Sequence, residues 1–406
     1  NLYKEITLGS DPVTINNIPN GVYFLELETD TGYIQKPYLF VKDNGTVTIS
    51  LNSYLKEATE AVDHLFQDND HSKIKTNLMQ KDIDQAKKKV TALPNSSQKD
   101  NLLTRLNKAF DQLQEFTFKG LGNFHFASFD VANSVATIRT TAGTPHSYFH
   151  DRYASITISR NHETIYQKEY IGDRHYDAKT DTINLNEGDI VTVTHREAND
   201  IRLAVNHNNL KNNTSGTYEY IVKNGQLMIN YVGIATAAVN SLFQNQDQIK
   251  PTIMQKDIDN AKTKVNDVPD SQEKQRLLDK VDKAYNSLQE ITFKGYCNNT
   301  FATLDVADSV ATVRTNAVTP HTYFTNVYAS ISINRDGKDV YKQDYVGNKK
   351  YSAKVETINL LEGDIVTITH KEANDTRLAV NHLYLKNNTS GSYRYMVTNG
   401  KLILTK

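Results

Sequence analysis

The chain has 406 residues, of which 38% are hydrophobic and 23% are charged, values that are ordinary for globular domains with several cores. Forty-six basic against forty-seven acidic residues give a formal charge of −1, so we expect no nucleic acid partner. Cys297 is the only cysteine, which excludes a disulfide framework and a thiolate metal cluster; we expect no cofactor. No apolar run approaches the roughly 20 residues of a membrane span, so we expect no membrane insertion.

The first 56 residues are predicted to form a small β domain or the end of a β-sandwich. GVYFLELET, GYIQKPYLFV and GTVTISL are strand-like runs, separated by turn signals at Thr29–Gly32 and Asp43–Gly45. The chain begins at Asn1 inside a strand-like region, so we expect it to be a fragment of a longer protein.

The rest of the chain is one long internal repeat. The stretch Ala58–Ile229 returns as Thr236–Leu404, shifted by 175 residues over most of its length. A repeat of this length is a whole structural unit, because solenoid repeats run only about 20–50 residues. The predicted domains are a β domain at 1–56, three-helix bundles at 57–114 and 232–289, and β-sandwiches at 115–231 and 290–406.

Three amphipathic helices are predicted in each helical segment, packed as a bundle around one apolar seam. In the first copy, apolar residues recur at the spacing of one helix face over Ala58–Phe66, Ile83–Leu93 and Leu102–Leu113. The predicted start signals of the third helix are Asn95 with Gln98 and, in the second copy, Asp270 with Glu273; Pro94 and Pro269 close the preceding helix.

From Phe116 the apolar period changes from 3.6 to 2, which predicts short strands separated by turns. The predicted strands are FASFDV, VATIRT, YASITIS, TIYQKEY, TINL, IVTVTH, RLAVN, YEYIV and QLMI. This pattern favours an antiparallel sandwich of two sheets. Asp336–Gly337 is the strongest hairpin signal in the chain, and Asn161–His162 at the corresponding position is compatible with the same turn. No flexible linker separates the two copies, so we expect a stiff, monomeric string of domains.

Known catalytic motifs are absent from the sequence. The His-Glu-x-x-His pair of zinc peptidases does not occur. His162–Glu163 is the only His-Glu dipeptide, and it lies in a predicted hairpin turn where the second copy has Gly337–Lys338. Phosphate loops, nucleophile elbows and catalytic Cys/His arrangements are also missing. We therefore expect a binding or structural role, with a hydrolase that uses an unrecognised acid pair as the remaining alternative.

A polar and aromatic constellation recurs in both β segments and supplies the candidate ligand-binding residues. Strand alternation places His195 on the core face, Glu197 can share that side, and Arg202 opens the next strand. Such a trio can close on itself as a corner of the fold or face a ligand, and both interpretations stay open. The candidates are Arg139, His146, Tyr148, Tyr153, His195, Glu197 and Arg202, with Arg314, His321, Tyr323, Tyr328, His370, Glu372 and Arg377 in the second copy.

The Thr144–Phe149 segment has the composition of a small-ligand site. Pro145 fixes a loop, while Tyr148 and Phe149 offer flat apolar surface on which the C–H face of a sugar can lie. We expect Phe149 in the core, whereas Tyr148 and His146 can be either core residues or ligand contacts.

The segments FTFKGLGNFHFASFDV, TAGTPHSYFHDRYASITI and EGDIVTVTHREANDIRL, with their second copies, resemble the mucin- or carbohydrate-binding module of bacterial enhancin-like (M60-type) metallopeptidases. The helical segments resemble those that accompany such modules in Gram-positive surface proteins and, less closely, a helical segment of insecticidal crystal protoxins. The resemblance implies a non-catalytic region of a secreted or surface bacterial protein that attaches it to mucin or other matrix glycans. A structural spacer or a protein-receptor adhesin without sugar binding is the alternative.

Three positions depart from the family pattern. Ala198–Asn199 stand where a proline-containing turn is expected after the glutamate. In the second copy Val318 replaces Gly143, and Cys297 replaces Gly122. If the loop near Gly143 forms the site, the second copy is expected to bind differently or not at all.

Overall fold

The computed structural model describes residues 13–29, 32–41, 45–49, 51–199, 201–211, 216–246, 248–373, 376–382, 385 and 391–405. The chain divides into two compact units, Asn1–Asn230 and Tyr231–Lys406, and each contains one copy of the repeat. Among the described residues, none of the helices has the length and apolar character to cross a membrane.

The N-terminal region consists of two separate antiparallel strand pairs. Strand β1 (Val13–Ile15) pairs with β4 (Val47–Ile49), and β2 (Gly21–Thr29) pairs with β3 (Gly32–Val41). The two longer predicted strands are therefore confirmed. The third predicted run is a strand only over its three middle residues, because its last residue, Leu51, already begins a helix. The predicted turn at Asp43–Gly45 lies largely outside the described residues.

Each unit has three helices where three were predicted. They are α1 (Leu51–Asp63), α2 (Gln80–Thr91) and α3 (Ser97–Gln112) in the first unit, and α4 (Tyr231–Asn240), α5 (Gln255–Asn266) and α6 (Gln272–Ser287) in the second. The periodic apolar residues of α1 to α3 meet in one buried core, which also includes Ala132 from a strand. In the second unit, helices α4 to α6 form an equivalent buried core that includes Ala307 from a strand.

The start of the third helix lies one residue later than predicted. The Ser96 hydroxyl accepts a hydrogen bond from the backbone N–H of Lys99 at 3.2 Å, as an N-cap does. The predicted cap, Asn95, instead accepts from the Lys99 ammonium at 3.2 Å. In the second unit Ser271 is the cap, and its hydroxyl accepts a hydrogen bond from the backbone N–H of Lys274 at 3.2 Å. The prediction failed because two adjacent residues both had capping chemistry.

Ten strands of the first unit form two five-stranded antiparallel sheets. The first sheet contains, in order, β10 (Lys179–Asn184), β7 (Val135–Thr140), β6 (His125–Ala132), β5 (Gln114–Lys119) and β12 (Leu203–Val205). The second sheet contains, in order, β14 (Gln226–Ile229), β13 (Thr217–Lys223), β11 (Ile190–His195), β8 (Arg152–Arg160) and β9 (Glu163–Ile171). Strand β5 was not among the predicted strands, although Gln114, Phe116 and Phe118 alternate inward as a strand should.

The second unit repeats this topology. Its first sheet contains, in order, β20 (Lys354–Asn359), β17 (Val310–Thr315), β16 (Thr300–Ala307), β15 (Gln289–Lys294) and β22 (Leu378–Val380). Its second sheet contains, in order, β19 (Lys338–Val346), β18 (Val327–Arg335), β21 (Ile365–His370), β23 (Ser392–Thr398) and β24 (Lys401–Leu404). Both sheets contribute to one core, with Phe293 and Leu304 from one and Ile331 and Tyr395 from the other. The shared core gives the pair of sheets a sandwich-like character.

The predicted tight hairpin turns are confirmed. Strand β18 ends at Arg335 and β19 begins at Lys338, with Asp336 and Gly337 at φ values of 50° and 80°. Asn161 and His162 connect β8 to β9 with φ values of 50° and 68°. A two-residue turn of this kind requires a positive φ at both positions, which matches the twist of the strands.

Helical and β segments are joined by hydrogen bonds within each unit. The side chains of Asn206 and His207 donate to the Leu113 carbonyl, at 2.8 and 3.1 Å, just past the end of α3. The Glu115 carboxylate accepts from the backbone N–H of Gln80 at 2.8 Å. The second unit has the same contacts at Asn381, His382 and Glu290. Orphan backbone groups at the helix ends are thereby satisfied.

Candidate functional site

Three loops of the first β segment converge at one end of the sheets. We call residues 119–124, 144–151 and 172–176 the three-loop cluster. The Leu121 N–H donates to the Pro145 carbonyl at 3.0 Å, and the His146 N–H donates to the Gly172 carbonyl at 2.7 Å. A side chain at Gly120 would place its Cβ 1.7 Å from the Pro145 oxygen, so only glycine permits this approach. The loops are thus fixed backbone against backbone.

An aromatic column runs from this surface into the core of the first unit. Tyr148 is 76% exposed, whereas His146, Tyr153 and His195 are buried. Successive ring centroids are 5.8, 5.2 and 4.8 Å apart from Tyr148 through His146 and Tyr153 to His195. Half-buried Phe149 packs against His146 at 4.6 Å, so it supports the column rather than lying fully in the core as predicted.

The second unit repeats the column at the same spacings. Tyr323 is 75% exposed above buried His321, Tyr328 and His370, with centroid distances of 5.8, 5.2 and 4.8 Å. One ring is added: Tyr296, 43% exposed, lies edge to face with Tyr323 at 5.5 Å. The first unit has Leu121 at that position.

Four of the candidate residues form a polar network at the buried end of the column. The Tyr153 hydroxyl donates to the Glu197 carboxylate at 2.6 Å, and Arg202 lies 3.5 Å from the same oxygen. The backbone N–H of Glu197 donates to His195 Nδ1 at 3.0 Å, so His195 Nε2 carries the proton and donates to the Lys119 carbonyl at 3.1 Å. These contacts favour the interpretation of this group as a corner of the fold.

Burial sets the protonation states in this corner. It lowers the pKa of His195 to about 4, so the imidazole is neutral at pH 7. Burial and the hydrogen bond to Glu197 raise the pKa of Tyr153, which keeps the phenol protonated. Tyr328, His370, Glu372 and Arg377 form the same network in the second unit, where burial lowers the pKa of His370 to about 4.

Arg139 and Arg314 lie apart from the other candidates. Arg139 forms an ion pair with buried Asp130 and donates to the Asn77 carbonyl at 3.2 Å, beside the helical segment. Arg314 pairs with Asp305 in the same way in the second unit. These arginines therefore join the sheet to the helices, and the structure does not bring them to the three-loop cluster.

Further charged side chains lie next to the loop that carries Tyr148, although none of them is among the candidate residues. Arg196 lies over the ring of Phe149, 4.3 Å from its centroid, and forms an ion pair with Asp151. His150 Nδ1 lies 2.6 Å from the Asp173 carboxylate. His150, Asp151 and Arg196 adjoin the candidate segments in the sequence, whereas Asp173 has no such sequence signal and is brought there by the hydrogen bond from its N–H to the Phe149 carbonyl. Together they provide hydrogen-bonding groups around an exposed aromatic ring, as a small polar ligand requires.

The departures from the family pattern are accommodated locally. A Cβ at Gly143 would collide with the ring of Phe124 at 2.6 Å, and the second unit carries Asn299 at the position of Phe124, which makes room for Val318. The turn after Glu197 is made by Asn199, whose side chain accepts from the N–H groups of residues 201 and 202 at 3.0 Å each.

Cys297 has a φ of 55° where Gly122 has 62°, so the backbone turn is retained in both units. The thiol is free and exposed. Within the described residues, no group of three or more His, Cys, Asp or Glu side chains is arranged to hold a metal ion.

The fold and this surface define a β module with an exposed aromatic ring at one end. Residues 117–227 and 292–402 match the family described as mucin or carbohydrate-binding module, and the chain belongs to this family. The predicted family is thereby confirmed. Residues 53–115 and 231–290 are similar to domain IV of the pesticidal crystal protein Cry1Aa. No curated protein shows a significant match to the chain. The enhancin-like metallopeptidase context stays a prediction.

Proposed function

We propose that the chain is a non-catalytic tandem glycan-binding region, in which Tyr148 and Tyr323 are the floors of two saccharide sites. The observation that carries the proposal is their exposure: a tyrosine three-quarters open to solvent stands on a buried aromatic column in both units. An aromatic ring held in a fixed position offers apolar surface at little cost in conformational entropy. Membership of a mucin or carbohydrate-binding family supports a saccharide as the ligand.

The candidate residues take different roles in this proposal. Tyr148 contacts the sugar, and His146 beneath it has a buried Nδ1 without a hydrogen-bond partner in the structure. Tyr153, His195, Glu197 and Arg202 position the loops from below. In the second unit the contacting residue is Tyr323, and His321, Tyr328, His370, Glu372 and Arg377 are its support. Arg139 and Arg314 hold the sheet against the helices.

Two weak sites on one chain explain the duplication. A single exposed site is expected to bind at about the millimolar to micromolar level, because sugar contacts are hydrated and few. Linking two sites raises the overall affinity by factors of roughly 10²–10⁴ when the glycans are spaced to suit both. The second helical segment, which lies between the two modules in the chain, would then act as a spacer.

The wider context follows from the same proposal. Each helical segment is a three-helix bundle and each β segment a sandwich, within the domain boundaries given by the sequence analysis. The parent is a secreted or surface bacterial protein, monomeric, whose partners are mucin or other matrix glycans, and a metallopeptidase domain elsewhere in the parent would use this region for attachment.

The test is binding of the whole chain to immobilised mucin. Tyr148→Ala combined with Tyr323→Ala should reduce binding by roughly 100-fold or more, and each single change should remove the avidity gain. The matched control is Ile165→Ala with Val340→Ala, which removes two exposed apolar residues at equivalent positions on β9 and β19. Thermal unfolding should be the same for all chains. Unchanged mucin binding by the double tyrosine variant would overturn the proposal.

A structural spacer is the second candidate, favoured by the closed network around His195. It predicts no sugar binding, with His195→Ala lowering the melting temperature and leaving the scattering dimensions unchanged. A protein-receptor adhesin would bind its target equally well after glycosidase treatment.

A further inference from the structure

The surfaces around the two exposed tyrosines differ in charge. We call the side chains that surround each tyrosine in the three-loop cluster and at the end of β11 or β21 the rim. In the first unit the rim carries acids beside its bases. Asp151 forms an ion pair with Arg196, and Asp173 forms one with His150. The first rim is therefore largely neutralised by its own side chains.

The second rim has lost these acids. Asn326 and Asn348 stand where the first copy has Asp151 and Asp173, and one residue beyond the third loop Ser352 replaces Asp177. Three bases are retained, since Lys349, Lys350 and Lys371 occupy the positions of Arg174, His175 and Arg196, whereas Thr325 replaces His150.

The three lysines have no carboxylate partner within ion-pair distance among the described residues. The Lys371 ammonium donates to the Asn326 side chain at 2.9 Å and lies 5.7 Å from the centroid of the Phe324 ring. The Lys349 ammonium lies 5.4 Å from the Tyr351 ring centroid, and Lys350 is exposed. Nearby Glu372 is bound by Tyr328 and Arg377.

Backbone contacts place these lysines beside the aromatic floor. The His321 N–H donates to the Gly347 carbonyl at 2.8 Å, and the Asn348 N–H donates to the Phe324 carbonyl at 2.7 Å. The loop that carries Lys349 and Lys350 is therefore packed along the loop that carries Tyr323. Asp344, on β19 before this loop, is exposed and is the acid that partly offsets the three positive charges.

Resting on the proposed function, we infer that the second unit binds acidic saccharides, whose carboxylate or sulfate lies at the lysine rim while a sugar ring lies on Tyr323, with Tyr296 as an aromatic wall beside it. The first unit, with its paired charges, binds neutral saccharides. Unpaired ammonium groups beside a flat apolar floor favour an anion attached to a sugar ring, because charge and stacking are satisfied together. The duplication therefore gives one chain two specificities.

The experiment compares full-length chains in which one floor is disabled. Tyr148→Ala leaves the second site, and Tyr323→Ala leaves the first. Each is titrated on native mucin, sialidase-treated mucin and chemically desulfated mucin. The Tyr148→Ala chain should bind native mucin about three- to tenfold more tightly than one of the treated forms, and the treatment that matters identifies the carboxylate or the sulfate. The Tyr323→Ala chain should bind all three alike.

Reciprocal changes of the rim supply the matched control. Asn326→Asp, Asn348→Asp and Ser352→Asp together, in the Tyr148→Ala chain, should abolish the preference for native mucin. Asp151→Asn, Asp173→Asn and Asp177→Ser together, in the Tyr323→Ala chain, should create one. Equal binding of all mucins by the Tyr148→Ala chain would overturn the inference and leave glycan binding intact. The inference is also overturned, and glycan binding kept, if no chain prefers acidic mucin and binding is lost only when both tyrosines are removed. If removing both tyrosines has no effect on mucin binding, the proposed function itself is contradicted.

Discussion

The two repeat units are alike inside and different at the surface. The ring centroids of Tyr153 and His195 are 4.8 Å apart, as are those of Tyr328 and His370. In both units the tyrosine hydroxyl donates to a glutamate carboxylate at 2.6 Å. At the surface, leucine is exchanged for Tyr296 and three aspartates for neutral residues. Interior contacts tolerate little change because packing is tight, whereas exposed side chains are free to specialise.

The largest effect on stability is expected from a substitution at Gly120, in a loop contact that both units share. Gly120→Ala forces a Cβ to within 1.7 Å of the Pro145 oxygen, which is backbone and has no room to move. We expect a loss of about 3 kcal/mol or more in the free energy of unfolding of the first unit. Gly122→Ala, in the same turn with nothing within 4 Å of the new Cβ, should cost only about 1–2 kcal/mol for its positive φ. Equal losses in urea unfolding would contradict the account.

Acid should weaken both interiors equally. His195 and His370 have pKa values of about 4 in the folded chain, lowered by burial, against about 6.5 when unfolded. Above pH 6.5 both histidines are neutral in the folded and in the unfolded chain, so their burial carries no protonation cost. The free energy of unfolding falls as the pH drops from 6.5 toward 4, since the unfolded chain takes up the protons first. The loss is on the order of 3 kcal/mol per histidine.

Urea unfolding at pH 7 and at pH 4.5 measures this loss. His195→Gln should flatten the pH dependence of the first unit, and the exposed hairpin residue His162, changed to Asn, should leave it intact. A free energy of unfolding that does not change over this range, or an equal effect of both variants, contradicts burial of a neutral histidine.

A smaller effect sharpens the difference at the surface. Tyr296 stands edge to face beside Tyr323 and adds a second aromatic surface to the site, so Tyr296→Leu should weaken mucin binding by the second site about three- to tenfold, in a chain that also carries Tyr148→Ala. The reciprocal Leu121→Tyr, with Tyr323→Ala, should strengthen the first site by a similar factor. Direct binding titration with unchanged melting temperatures checks both, and no change in either chain means that the added ring takes no part.

Local patterns predicted local structure well. Spacing of apolar residues identified the helices, and Asp336–Gly337 identified a hairpin whose two φ values are positive. The predictions failed where neighbours competed, as Asn95 and Ser96 did for the helix cap. They also failed for β5, since a strand that follows directly after a helix gives no turn signal to mark its start.

The site was only partly predictable because it is made by long-range contacts. Tyr148 and Tyr153 are close in sequence and chemically identical, yet one is exposed and the other buried. Alternation does not separate them, since residues 153 to 156 of β8 are all buried. The contact of Gly120 with Pro145, which fixes the loop, has no signature in either segment alone. Arg139 likewise matched the candidates in type but faces the helices.

Direct contact between a glycan and the two exposed tyrosines is the central claim. Nuclear magnetic resonance of the chain with ring-labelled tyrosine, titrated with oligosaccharides released from mucin, tests it, with Tyr→Phe variants to assign the signals. We expect the largest shifts at Tyr148 and Tyr323 and small ones at buried Tyr153 and Tyr328. Saturating oligosaccharide that leaves the Tyr148 and Tyr323 signals unmoved would contradict the account.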